Sequence, residues 1–146
     1  MKRRNQQLQS LTVDDKKVVS LQPDEILITS KDEEFIKQVI KIIEESMEDS
    51  EFNIDSVAES VGFGRTTFYK KLKSLTGLAP VEFVRDMRLK RSKQLLDSGE
   101  FTISEIAYTT GFKSLGYFST CFKEKYKLSP SAYLKTTKEQ NSSSPV

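Results

Sequence analysis

Ile54-Asp55-Ser56-Val57-Ala58-Glu59-Ser60-Val61-Gly62-Phe63 and Ile103-Ser104-Glu105-Ile106-Ala107-Tyr108-Thr109-Thr110-Gly111-Phe112 are two versions of one pattern. Ile54/Ile103, Ala58/Ala107, Gly62/Gly111 and Phe63/Phe112 correspond at an offset of 49. Phe68/Phe118, Lys73/Lys123, Pro80/Pro130 and Phe83/Tyr133 correspond at 50, so one extra residue follows the second Gly-Phe. A repeat of this size means that one supersecondary unit is built twice.

The content of the unit follows from its periodicity. Ile54, Val57, Ala58 and Val61 recur at i, i+3, i+4 and i+7, the spacing of one helix face, and Gly62 then permits a sharp turn. A second helix over about 65–75 places Phe68, Leu72 and Leu75 inward and leaves Thr66, Tyr69, Lys70 and Lys73 on the opposite side. Helix, tight turn and a second helix with a polar, basic outer face is the pattern of a helix-turn-helix.

The remaining helices are framed by stop and start signals. Ser30-x-x-Glu33 has capping-box spacing, and Phe35, Val39, Ile42, Ile43 and Met47 follow, which predicts a first helix over about 31–48. Asn53 is placed to cap the next helix. Gly77 ends the third, and Pro80 and Gly99 bracket a long helix with Phe83, Val84, Met87, Leu95 and Leu96 as apolar anchors. That rod is roughly 28 Å at ~1.5 Å per residue, comparable with the ~34 Å between successive major grooves on one side of DNA. Thr102-x-x-Glu105 is a second capping box, Gly111 repeats the turn, and a sixth helix begins near Ser114 or Leu115 with Phe118, Cys121 and Phe122 inward. Ser129-Pro130 opens a short seventh helix whose Tyr133 and Leu134 pack back. The expected fold is all-α: seven helices in two helix-turn-helix subdomains, about 53–77 and 102–127, joined by a linker helix over about 80–98. Residues 1–30 are expected to be a linker with at most one short strand, 31–135 the folded domain, and 136–146 a disordered tail.

Total charge is uninformative at +2, but its distribution is not. Residues 31–51 carry three Lys against eight Asp or Glu, whereas Arg65, Lys70, Lys71 and Lys73 meet no acid between 64 and 77. Five bases against Asp86 follow in 85–93, and Lys113, Lys123, Lys125 and Lys127 against Glu124 in 113–127. One basic face and one acidic face are implied, and a basic face attracts phosphate.

Several classes are excluded. Cys121 is the only cysteine and there is no histidine, which removes an internal disulfide, a Cys/His zinc site and any histidine-based triad. No phosphate-loop motif is present, and Asp32, Glu33 and Glu34 suit a helix N-terminus better than a carboxylate active site. Neither an enzyme nor a cofactor is expected. With no membrane-length apolar run and no signal-peptide core after Met1-Lys2-Arg3-Arg4, a reducing cytoplasm is the expected compartment and membrane contact is not expected.

From about Phe35 to Leu134 the chain resembles the AraC/XylS family of transcription regulators. The resemblance is carried by Leu72-Lys73-Ser74-Leu75-Thr76-Gly77, Arg88-Leu89, Leu95-Leu96, Gly111-Phe112, Tyr117-Phe118-Ser119, Phe122-Lys123 and Ser129-Pro130. It implies sequence-specific binding of double-stranded DNA. Thr66, Tyr69 and Lys70 then fall at base-contacting positions, with Arg65 and Lys73 as phosphate partners. In the second unit Leu115, Gly116, Ser119 and Thr120 stand where the family usually presents larger polar groups, so weaker base readout is expected there. Lys113, Ser114 and Lys123 are its expected phosphate ligands. Arg88 resembles a structural arginine, and Lys127 replaces the family's Gly before the last Ser-Pro. From the residues alone Arg85, Arg88, Lys90, Arg91 and Lys93 are read as solvated or paired with the acids of helix one. Such a regulator normally carries a sensing or dimerising domain, so an upstream receiver or sensor domain is expected outside this chain, with a freestanding small activator as the competing view. Leu21-Gln22-Pro23-Asp24 and Thr29-Ser30-Lys31-Asp32-Glu33 are similar to the junction after a receiver in hybrid two-component regulators. RNA polymerase is the further partner implied. The rival from another class is an all-helical protein-interaction module whose basic face meets an acidic partner.

Overall fold

Periodicity and caps translate into seven helices and no strand among the described residues, 29–142, of the computed structural model. In chain order they are α1 (Ser30–Glu45), α2 (Asp55–Ser60), α3 (Arg65–Thr76), α4 (Pro80–Ser98), α5 (Ile103–Thr109), α6 (Leu115–Tyr126) and α7 (Pro130–Ser142). The all-α expectation is borne out. The linker and short strand expected in 1–28 lie outside the described residues.

Residues 29–45 with 53–84 form one compact unit, and residues 46–52 with 85–142 form a second. In the first unit Phe35, Ile36, Val39 and Ile43 of α1, Val57 and Ala58 of α2, and Phe68, Leu72 and Leu75 of α3 are buried. Phe35 packs edge-on to Phe63 and Phe68, with centroids 5.4 and 5.8 Å apart. Full burial stabilises side chains such as Phe68 and Leu72 by ~1.5–3 kcal/mol each. In the second unit Leu89, Leu96, Ile106, Ala107, Phe112, Phe118 and Phe122 make one cluster, with Cys121, Tyr133 and Leu134 packed against it. The repeat is therefore a packing repeat: Phe68/Phe118, Leu72/Phe122 and Val57/Ile106 are each fully buried in their own unit.

The helix ends show where local signals succeed and where neighbours redirect them. Thr102 and Glu105 form the expected capping box, and Asn53 Oδ1 accepts from the Asp55 amide at 2.9 Å. The first cap is displaced by one residue. Thr29 Oγ1 accepts from the Asp32 amide and Asp32 Oδ2 from the Thr29 amide, both at 3.1 Å, so Ser30 is already helical and Thr29 is the cap. The other Asp32 oxygen accepts from Lys71 Nζ at 2.6 Å, which binds α1 to α3 and explains the choice of Asp32. The first helix ends at Glu45 rather than 48, and residues 46–48 form a turn instead.

One further expectation is adjusted. The tail expected to be disordered from 136 is helical as far as Ser142. Lys135-Thr136-Thr137-Lys138-Glu139 contains no Gly or Pro to stop a helix, and Thr136 Oγ1 donates to the Ala132 carbonyl at 3.0 Å. Lys127 adopts φ 68 at the C-cap of α6, the left-handed position that Gly77 fills with φ 81 after α3. The turn keeps its shape, so the Lys carries the strain of a side chain in that region. Lys127→Gly is expected to stabilise the second unit by about 0.5–1 kcal/mol, which thermal melts of the two proteins would measure.

Candidate nucleic-acid interface

In α3 the apolar triplet Phe68, Leu72 and Leu75 faces the core, and this alone sets which side chains point out. Arg65, Thr66, Lys70 and Lys73 are exposed and Tyr69 is half-buried. Lys71 does not join them. Its ammonium pairs with Asp32 and lies 5.3 and 5.8 Å from the centroids of Phe35 and Phe63, leaving Arg65, Lys70 and Lys73 as the outward bases of this helix. Gly64 caps α3 without a side-chain hydrogen bond.

At the head of this face three side chains are tied together. The Tyr69 hydroxyl donates to Asp55 Oδ1 at 2.8 Å. Arg65 Nε lies 3.3 Å from the same oxygen, and the guanidinium sits 5.3 Å from the Tyr69 ring centroid. Tyr69 first and the Asp55 carboxylate second hold the Arg65 pKa above its ordinary value. Asp55, on α2, has no place in the sequence-based set of candidate residues. Its spacing of ten and fourteen residues from its partners lies beyond any helical period, so no local signal marks it.

The second unit repeats the arrangement with different chemistry. The extra residue after Gly111-Phe112 is Lys113, and Ser114 caps α6 by accepting from the Tyr117 amide at 3.1 Å. Lys113 Nζ stands 3.4 Å from Glu51. Ser114, Thr120 and Lys123 are exposed and Ser119 is half-buried. Tyr117, not among the expected site residues, is 51% exposed. Its ring lies 6.0 Å from Phe112, and Arg85 Nη1 reaches its hydroxyl at 3.5 Å.

The α4 bases divide by role. Arg88 is buried and donates to the backbone carbonyls of Gly111 and Asp49. Burial pulls its pKa down while Asp49 pushes it back up. Lys90 pairs with Asp86, which also takes Lys125, and Lys93 lies 3.9 Å from Asp97. Of the two readings, solvated or paired with helix one, neither describes Lys90 and Lys93, whose acids are on α4 itself.

A family model described as a helix-turn-helix domain matches residues 43–136. The chain belongs to the AraC-type helix-turn-helix family. Members of this family are DNA-binding transcription regulators. Over 118 residues the chain is 42% identical to histidine kinase P4 of Formosa agariphila, covering 81% of this chain and 9% of that protein. It is 36% identical over 80 residues to the HTH-type transcriptional activator RhaS of Escherichia coli, covering 55% of this chain and 29% of RhaS. The chain thus spans under a third of the length of either relative. Among solved structures, the C-terminal domain of the two-component response regulator YesN from Fusobacterium nucleatum superposes with a TM-score of 0.62 at 29% identity, covering 68% of this chain and 96% of that one. Among the described residues, no helix of this AraC-type domain is long and apolar enough to cross a membrane.

Proposed function

We propose that this AraC-type domain is the DNA-reading output segment of a larger two-component regulator, with α3 as its principal reader in a DNA major groove. The observation that carries this is the outward face of α3, where Arg65, Thr66, Lys70 and Lys73 stand exposed with no acidic residue on the helix. Lys70 and Thr66 are the base-edge candidates, Lys for guanine O6 or N7 and the Thr methyl for thymine. Arg65 and Lys73 neutralise phosphates. In the second unit Lys113, Ser114 and Lys123 position the protein on the backbone, with Ser119 and Thr120 contributing little discrimination. The similarity to a histidine kinase and to a response-regulator C-terminal domain supports an upstream receiver or sensor that sets the activity of this segment. A cytoplasmic, non-enzymatic role that ends in contact with RNA polymerase is the corresponding reading.

Selection from a random duplex library with the wild type, Lys70→Ala and Thr120→Ala tests it. The wild type is expected to enrich one motif. Lys70→Ala should relax that motif at the bases facing α3, with a loss of ~1–3 kcal/mol of discrimination, while Thr120→Ala leaves it nearly unchanged. Equal binding to all duplexes of one length would overturn specific readout and favour an acidic protein partner for the basic face.

A further inference from the structure

A hydrogen bond has a direction, and in the Asp55–Tyr69 pair that direction is dictated. A carboxylate can only accept, so the phenol proton is committed to Asp55 Oδ1 at 2.8 Å. Arg65, which can only donate, also hydrogen-bonds this hydroxyl, so what Tyr69 has left to offer a further partner is its remaining lone pair. Resting on the DNA-reading role of α3 proposed above, we infer that Asp55 is a specificity-determining residue that makes Tyr69 an acceptor-only reader, selecting an exocyclic amino group in the major groove.

The consequences are chemical. In the major groove the amino groups belong to adenine N6 and cytosine N4, whereas thymine O4 and guanine O6 and N7 are acceptors. A phenol whose proton is already placed is repelled by those acceptors and by phosphate oxygens, which also only accept. Tyr69 therefore favours A or C over G or T on the strand it faces. The same carboxylate fixes Arg65, whose Nε is 3.3 Å away and whose guanidinium lies over the Tyr69 ring at 5.3 Å. One charge of the reading face is thereby balanced within the protein. Asp55 touches no base in this scheme; it acts through Tyr69 and Arg65 and is a positioning residue.

Site selection and salt titration with the wild type, Asp55→Asn, Asp55→Ala and Tyr69→Phe decide the matter, with circular-dichroism melts showing which variants are folded. The wild-type motif is expected to contain one position with A or C preferred by roughly tenfold. That preference should weaken in Asp55→Asn, whose amide leaves the phenol free to turn round, and vanish in Asp55→Ala and Tyr69→Phe. Loss of the carboxylate should also steepen the slope of log affinity against log salt by up to about 0.9, because Arg65, shared between Asp55 and a phosphate in the wild type, then neutralises the phosphate alone. A purely structural role for Asp55 would shift the melt and leave both the base preference and the slope in place. Folded Asp55→Asn and Asp55→Ala proteins with the wild-type motif and slope overturn the inference, even where Lys70→Ala still relaxes the motif. A wild type that enriches nothing fails at the earlier step, and the role of Asp55 falls with it.

Discussion

Gly111→Ala is expected to lose about 3 kcal/mol or more of stability in the second unit, whereas Gly62→Ala, its counterpart in the first repeat, loses only ~1–2 kcal/mol. Both glycines hold left-handed backbone, with φ 90 at Gly111 and φ 82 at Gly62, so the conformational cost of a Cβ is shared. The space around them is not. A Cβ at Gly62 meets nothing within 4 Å, while one at Gly111 would collide with the Met47 carbonyl oxygen and the Arg88 guanidinium. Backbone carbonyls and a buried arginine held at two points cannot yield cheaply. Thermal unfolding of the two variants should separate by about 5–15 °C, since ~1 kcal/mol moves a domain of this size by ~4–8 °C. Equal shifts would mean that the turn relaxes around the added methyl group.

Replacing Arg88 should be comparably severe. Its guanidinium donates to the carbonyls of Gly111 and Asp49, which lie 23 residues after and 39 residues before it. One side chain thus holds the segment 46–52 against the turn that starts α6. Arg88→Ala leaves two carbonyls without their donor and a cavity beside them, for an expected loss of ~3 kcal/mol. The cost is moderated because Arg88 Nε is itself buried without a partner and burial already works against the charge. Arg88→Lys should recover less than half of the loss, since a single ammonium cannot span two carbonyls as a planar fork does. Chemical denaturation of the three proteins would measure this. Combined with Gly111→Ala the losses should fall well short of additive, because both changes break the same contact.

These two predictions depend on contacts that no periodicity reveals, and the same division runs through the whole chain. The seven helices, Gly62 and Gly111 at the turns, and the inward triplet Phe68, Leu72 and Leu75 are legible because each is a signal within about one or two helical turns, and the repeat is legible as residues that match 49 or 50 positions apart. The resemblance pointed to Arg65, Thr66, Lys70 and Lys73, and the core-facing triplet places them outward. Beyond 135 the polar composition suggests disorder, while the absence of Gly and Pro from 135–142 lets α7 continue to Ser142.

What the sequence by itself determined, then, is which segments are helical, that the unit is built twice and which face of each helix is apolar. The helices and their faces follow from the 3.6-residue period and from capping groups that reach only the next turn, and the doubling follows from residues that match 49 or 50 positions apart. Tertiary structure alone decided the partners. Lys70 and Lys71 are neighbours of identical chemistry, yet only Lys71 is withdrawn, because α1 brings Asp32 to it. Tyr69 falls at a base-contacting position by resemblance, yet its hydroxyl donates to Asp55 on α2. Hydrogen bonds and ion pairs act over about 3 Å, and which groups come that close is settled by how helices distant in sequence pack.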